Sequence, residues 1–182
     1  GFVVQRLINE AAGGSISVQN TTGYSFQNDT LVVSAISLTG YRGNVYTYFL
    51  KNDITGDVTT ADDASYGNGF YTYFRNNRIT GNSSIVSNGT SIVLDADEAG
   101  TGNIYQGNLS YTRTGGSTIA GAGAFNEAGG NLTLNSSANI SLGKIKFTGS
   151  TNAAIEQQGT QPVLISELSL EKTGTGSLTL ND

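Results

Sequence analysis

The chain of 182 residues has no cysteine, no histidine and no methionine, and only one proline. Without cysteine there is no disulfide, no zinc–thiolate site and no thiol nucleophile. Without histidine and methionine the commonest general base and the soft metal ligands are gone. Any chemistry must then come from carboxylates, lysine, tyrosine, serine and threonine. Charged residues make up only 13% of the chain, and the net charge is −5. The nine lysines and arginines are scattered, so the basic footprint of nucleic-acid binding is missing and nucleic acid is excluded as a partner. Apolar runs such as Leu31-Val32-Val33 are far shorter than a membrane-spanning helix, and residues 1–20 lack the charged-then-apolar layout of a signal peptide. No transmembrane segment is expected. The first residue is Gly1 rather than methionine, which is read as an excised or processed piece of a longer protein.

What is abundant is glycine, with 25 residues, and with serine, threonine and asparagine it fills nearly half the sequence. These are weak helix formers, so the composition points to a β-rich, turn-rich chain. Polar low-complexity chains tend to disorder because they bury too little apolar surface. Here 37% apolar residues and a regular β-pattern argue for a packed core.

The pattern is an internal repeat. At a fixed offset of 25, Tyr41, Tyr46, Thr47, Tyr48, Phe49, Asn52, Ile54, Thr55 and Gly56 return as Tyr66, Tyr71, Thr72, Tyr73, Phe74, Asn77, Ile79, Thr80 and Gly81. A fainter copy precedes them, with Phe26 and Asn28-Asp29 matching Phe49 and Asn52-Asp53 if one residue slips. Gly130-Asn131-Leu132-Thr133-Leu134-Asn135 returns as Gly176-Ser177-Leu178-Thr179-Leu180-Asn181, an offset of 46 that fits two shorter periods. Between these landmarks lie alternating runs such as Ser15–Val18, Ser91–Leu94, Lys144–Phe147 and Glu167–Leu170, bounded by Gly, Asn, Asp and Ser. Short strands recurring every 20 to 25 residues without helices predict an all-β fold. It is a right-handed parallel β-helix of about seven or eight coils, forming a single segment over residues 1–182. A flat sandwich also has short strands and turns, but it gives no reason for a fixed offset. In the β-helix, Phe49 and Phe74 stack as a buried ladder, and Asn52 and Asn77 stack at a bend where asparagine tolerates left-handed backbone. Coil ends expose unpaired backbone, and with no evident cap, flanking coils of the same parent chain or a capping segment are expected.

Thr151-Asn152-Ala153-Ala154-Ile155-Glu156-Gln157-Gln158-Gly159, followed by Leu168-Ser169-Leu170-Glu171-Lys172-Thr173-Gly174 and Ser177-Leu178-Thr179-Leu180-Asn181, resembles the repeats of large extracellular β-helical proteins of Bacteroidota. The likeness covers residues 120–182, is weaker over 39–90 and is not evident over 1–23. Val163-Leu164-Ile165 stands where those repeats carry an aromatic residue, and no sorting domain is present. The resemblance implies cargo of the type IX secretion system with relatives among gliding adhesins. It thus implies an extracellular or cell-surface location and contact with the secretion machinery. Asp29-Thr30-Leu31 resembles the short O-glycosylation acceptor of exported Bacteroidota proteins, with Thr30 as the acceptor. The sequons at Asn82, Asn88, Asn108 and Asn131 arise easily in so Asn-rich a chain and are assigned no function.

Strand alternation with Phe49 and Phe74 inward turns Tyr46, Tyr48, Tyr71 and Tyr73 outward as a two-by-two patch on adjacent coils. Two readings stay open. Exposed aromatic clusters with polar tips suit carbohydrate or a surface protein. Cross-strand stacking that only stiffens the sheet, or lies under a loop, has the same sequence signature. The acids Asp53, Asp57, Asp62, Asp63, Asp95, Asp97 and Glu98 are placed in bends, as solvated carboxylates that keep a solenoid soluble. Asp95, Asp97 and Glu98 are the candidate Ca²⁺ ligands, although they match no EF-hand or β-roll loop. No other cofactor is expected. The reading is a non-catalytic extracellular stalk or adhesin module. The alternatives are a carbohydrate-active β-helix enzyme fragment, which requires aligned Asp and Lys on neighbouring coils, and a filament-forming structural segment.

Overall fold

A computed structural model describes residues 2–4, 8–9, 13–20, 23–41, 47–62, 71–88, 91–95, 102–114, 118–120, 125–137 and 140–181. Among them every regular element is a β-strand, and the strands pair in parallel from coil to coil. One face is a six-stranded sheet of β1 (Phe2–Val4), β4 (Tyr24–Gln27), β6 (Thr47–Leu50), β8 (Tyr71–Arg75), β11 (Ser91–Asp95) and β14 (Thr118–Ala120). The other fourteen strands form one sheet in two rows. The first row holds β2 (Ile8–Asn9), β9 (Arg78–Ile79), β12 (Ile104–Tyr105), β15 (Phe125–Ala128), β17 (Ile140–Gly149) and β19 (Val163–Lys172). The second holds β3 (Ser15–Gln19), β10 (Ser83–Ser87), β13 (Leu109–Arg113), β16 (Leu132–Ser136), β18 (Ala153–Gln157) and β20 (Leu178–Asn181). The long strands β5 (Thr30–Tyr41) and β7 (Asp53–Asp62) run through both rows and join them.

The chain is therefore a parallel β-helix. It makes about five turns, fewer than the seven or eight expected from length. The ten-residue strands β17 and β19 add rungs to the large sheet, and β17 also packs against β14 at the end of the six-stranded face.

Stacking of equivalent residues explains the repeat. Phe26, Phe49 and Phe74 form one buried ladder, with ring centroids 6.1 and 5.5 Å apart. A second file runs Leu31, Ile54, Ile79, Tyr105, Ala128 and Phe147, all buried. Large Tyr105 sits beside small Ala128, and so volume is conserved along the file.

Beside the phenylalanines lies a polar ladder of Asp29, Asn52, Asn77, Asn103 and Asn126, buried throughout. The Asn77, Asn103 and Asn126 carbonyls each accept the backbone N–H and the Nδ2 group of the asparagine one coil before, and the Asn52 carbonyl accepts the Asp29 N–H. For Asn77 the two bonds come from Asn52 at 3.1 and 3.0 Å. The Nδ2 groups of Asn52, Asn77 and Asn103 also donate to the phenylalanine carbonyl one coil earlier, Phe26 at 3.1 Å, Phe49 at 2.7 Å and Phe74 at 2.8 Å. The ladder corrects two expectations. No residue slips between the first copies, because Asp29 itself takes the asparagine position and Phe26 aligns with Phe49. The left-handed residues are Asn28, Lys51 and Asn76, one position earlier, because that turn is what swings the next side chain into the interior.

Asp62 also departs from the solvated-bend reading. It ends β7, is buried, and accepts the backbone N–H of Asn88 on the next coil. Asp53 and Asp57 are exposed as expected.

The Tyr105 hydroxyl is buried with no hydrogen-bond partner among the described residues. Removing it with Tyr105→Phe is expected to raise stability by about 1 kcal/mol in urea unfolding. Burial pushes the Tyr105 phenol well above the ordinary value of about 10. A raised folded-state pKa gives stability that is whole below the unfolded value and is lost as pH rises through the folded one. The wild type should accordingly lose stability above about pH 10 more steeply than Tyr105→Phe. Equal alkaline slopes would contradict this.

Candidate functional site

In β6 and β8 the alternation that buries Phe49 and Phe74 turns Tyr48 and Tyr73 outward. The parallel register pairs Tyr48 with Tyr73, and their rings stack with centroids 5.4 Å apart and planes inclined by 18°. The Arg75 guanidinium lies over the Tyr73 ring at 4.6 Å. Both rings are half-buried. The site so formed is an aromatic stack with polar tips and one cation, held on a rigid sheet. Such a surface offers a π-face to an apolar ring face, hydroxyl groups to polar substituents and a positive charge to an acceptor.

The rest of the expected patch is less visible. Tyr71 lies in β8 with its backbone opposite Ser91, but its side chain, like the whole of Tyr46, lies outside the described residues. One column of the two-by-two array is therefore established. The same geometry contains the cross-strand stacking that the sequence left as the other reading.

Thr30 is exposed at the start of β5, between buried Asp29 and Leu31. Its hydroxyl is therefore accessible to solvent, while its neighbours are fixed in the core. Asp95 ends β11, but its side chain is not among the described ones, and Asp97 and Glu98 lie outside the described residues. Among the described residues no group of three acids could hold a metal ion.

Acids and lysines do align on neighbouring coils. They meet as ion pairs on the outer surface, Lys144 with Glu167 at 3.0 Å and Lys146 with Glu171 at 3.2 Å. Lys172, from the Lys-Thr-Gly stretch, has another task. Its ammonium donates to the carbonyls of Thr148 and Thr151, each at 2.9 Å, and caps the preceding bend. Burial pulls its pKa below the usual lysine value.

Compared with protein-family profiles, with curated proteins and with solved structures, the chain matches none of them.

Sequence reasoning missed one arrangement. On the outer surface of the second row, Ser37, Thr59, Ser84, Ser110 and Thr133 stand in register on successive coils. The signal was available in the alternating runs, but choosing which hydroxyls align needs the coil offsets. These vary between 23 and 26 residues along the asparagine ladder.

Proposed function

We propose that this chain is a non-catalytic β-helical stalk or adhesin module of a larger extracellular, cell-surface protein, binding carbohydrate or a protein partner. The observation that carries it is the Tyr48–Tyr73 stack under Arg75, displayed on the outside of a rigid parallel sheet. Export by the type IX route, glycosylation at Thr30 and kinship with gliding adhesins belong to the same proposal and rest on the resemblance over residues 120–182. A stalk also needs neighbours. Leu168, Leu170 and Leu180 extend the buried files of Ile145, Phe147 and Ile155, yet remain 39%, 58% and 67% exposed. A flanking coil with apolar inward residues would cover them and pair with the free edges of β19 and β20. The enzyme alternative draws on aligned acids and lysines, but among the described residues Lys144 and Lys146 engage Glu167 and Glu171, which favours the binding reading.

Replacing Tyr48 and Tyr73 together by Ser tests it. The variant is expected to keep a cooperative unfolding transition, losing about 1 to 2 kcal/mol of cross-strand stacking. Its binding to cell surfaces or glycan arrays should fall at least about tenfold. Undiminished binding by a folded variant would leave the stack with a purely structural role.

A further inference from the structure

The second row of the large sheet carries a shallow groove of about 210 Å³ that crosses its coils on a different sheet from the tyrosine stack. Two parallel files line it. One is the hydroxyl file of Thr59, Ser84, Ser110 and Thr133, one residue per coil. The other, two residues earlier in each strand, is Asp57, Asn82 and Asn108. Coils lie about 4.8 Å apart and the files about 6.6 Å apart, so the groove presents a regular lattice of polar groups.

The bonding state of these groups is uneven in a useful way. Asn82 and Asn108 spend their Oδ1 atoms on the backbone N–H of the next coil, at 3.1 and 2.9 Å. This fixes the amide planes and leaves each Nδ2 without a protein acceptor among the described residues. The four hydroxyls likewise have no protein partner among the described residues. Among the described residues of the lining Asp57 is the one that carries a charge, and its Oδ1 already accepts the Asn82 N–H at 2.7 Å. The groove therefore offers fixed donors and adaptable hydroxyls at a constant rise, with almost no charge. It has no large apolar wall that would select a hydrophobic ligand.

We infer that this groove binds an extended neutral polysaccharide lying along the solenoid axis, one sugar residue per coil. A β-linked glycan ribbon has a repeat close to the coil spacing, carries hydroxyls along both edges and is uncharged. Neighbouring sugars of a β-1,4-linked ribbon are turned over, so alternate sugars can meet equivalent donors and acceptors on every second coil. A polyanion would meet Asp57 and find no cation in the lining. The site is independent of the tyrosine stack.

Isothermal titration of the purified chain with a series of neutral β-1,4-linked gluco-oligosaccharides, two to eight residues long, tests this. Affinity should rise with length up to about four residues, the number of hydroxyl rungs in the groove, and then level off. Ser84→Asp with Ser110→Asp places two charges on the half-buried middle rungs of the file and should weaken binding at least about tenfold, with circular dichroism unchanged. The milder pair Ser84→Ala and Ser110→Ala should weaken it several-fold and covers the case in which the aspartates disturb the sheet. Tyr48→Ser with Tyr73→Ser removes the other candidate surface, and in that background the length dependence and the loss caused by the groove variants should persist. The inference is overturned if the wild type binds none of the series, if affinity is indifferent to length, or if the tyrosine variant and not the groove variants abolishes binding.

Discussion

Asn77→Leu is expected to cost on the order of 3 to 5 kcal/mol, close to the stability of many small domains. The size follows from what the side chain holds. Its carbonyl accepts two bonds from Asn52, and its amide donates to the Phe49 carbonyl and to Asn103 Oδ1 at 2.8 Å. All of this occurs at 1% exposure, so water cannot replace the lost partner. Buried donors and acceptors left unsatisfied cost about 1 to 3 kcal/mol each. Asn77→Asp is the sharper variant. It keeps the shape and the acceptor, but sets carboxylate oxygen against two other oxygens. The folded state then disfavours the charged form and raises the carboxyl pKa above its unfolded value. Stability is retained below the unfolded value near 4 and lost as pH rises. Urea unfolding at pH 4 and pH 7 should show Asn77→Asp recovering at the lower pH while Asn77→Leu does not. The outer residue Asn82 makes the same kind of bond, at 3.1 Å to the Asn108 N–H, but in contact with solvent. Asn82→Ala should cost about 1 kcal/mol or less. Equal losses inside and outside would show that burial is not what gives the ladder its value.

Gly81→Ala should be at least as damaging, for a steric reason. A Cβ on Gly81 would lie 2.2 Å from the carbonyl oxygen of Gly56 and 2.3 Å from its carbon, one coil below. Backbone cannot yield as a flexible side chain does, so the coils must part and break parallel hydrogen bonds on both sides. Gly107 meets Gly81 in the same way, with 2.4 Å to the carbonyl oxygen. We expect Gly81→Ala to lose more than about 3 kcal/mol or to accumulate unfolded, against a change within about 1 kcal/mol for Gly14→Ala. Gly14 has open space around its would-be Cβ and no left-handed backbone. Thermal melts of the two variants side by side are sufficient. A soluble Gly81→Ala protein with the wild-type melting temperature would mean that the coil spacing is looser than the close contact implies.

Much of this architecture can be read before any coordinates. The offset of 25 aligns Phe49 with Phe74 and Tyr48 with Tyr73, and the parallel register is the same alignment in space. Alternation around the phenylalanines then sets which face the tyrosines take. Where the offset changes, reading becomes harder. Asp29 fills an asparagine position with a different side chain, and a sequence match drawn through Asn28 shifts the register by one. Asp62 looks like any acid near a turn, and only the Asn88 N–H on the neighbouring coil makes it a buried acceptor.

The sequence by itself determined the class of fold, the direction of the ladders and the inward and outward sides of the best-conserved rungs. A one-dimensional repeat needs only local spacing to specify its stacking. The tertiary structure alone decided which polar residues are buried, which hydroxyls share a groove and which inward leucines stay uncovered. Those properties depend on coils of 23, 25 and 26 residues being brought level with one another. Part of that levelling occurs inside β5, whose register shifts between Val32 and Ala35 and between Thr39 and Tyr41, and no single stretch of sequence contains it.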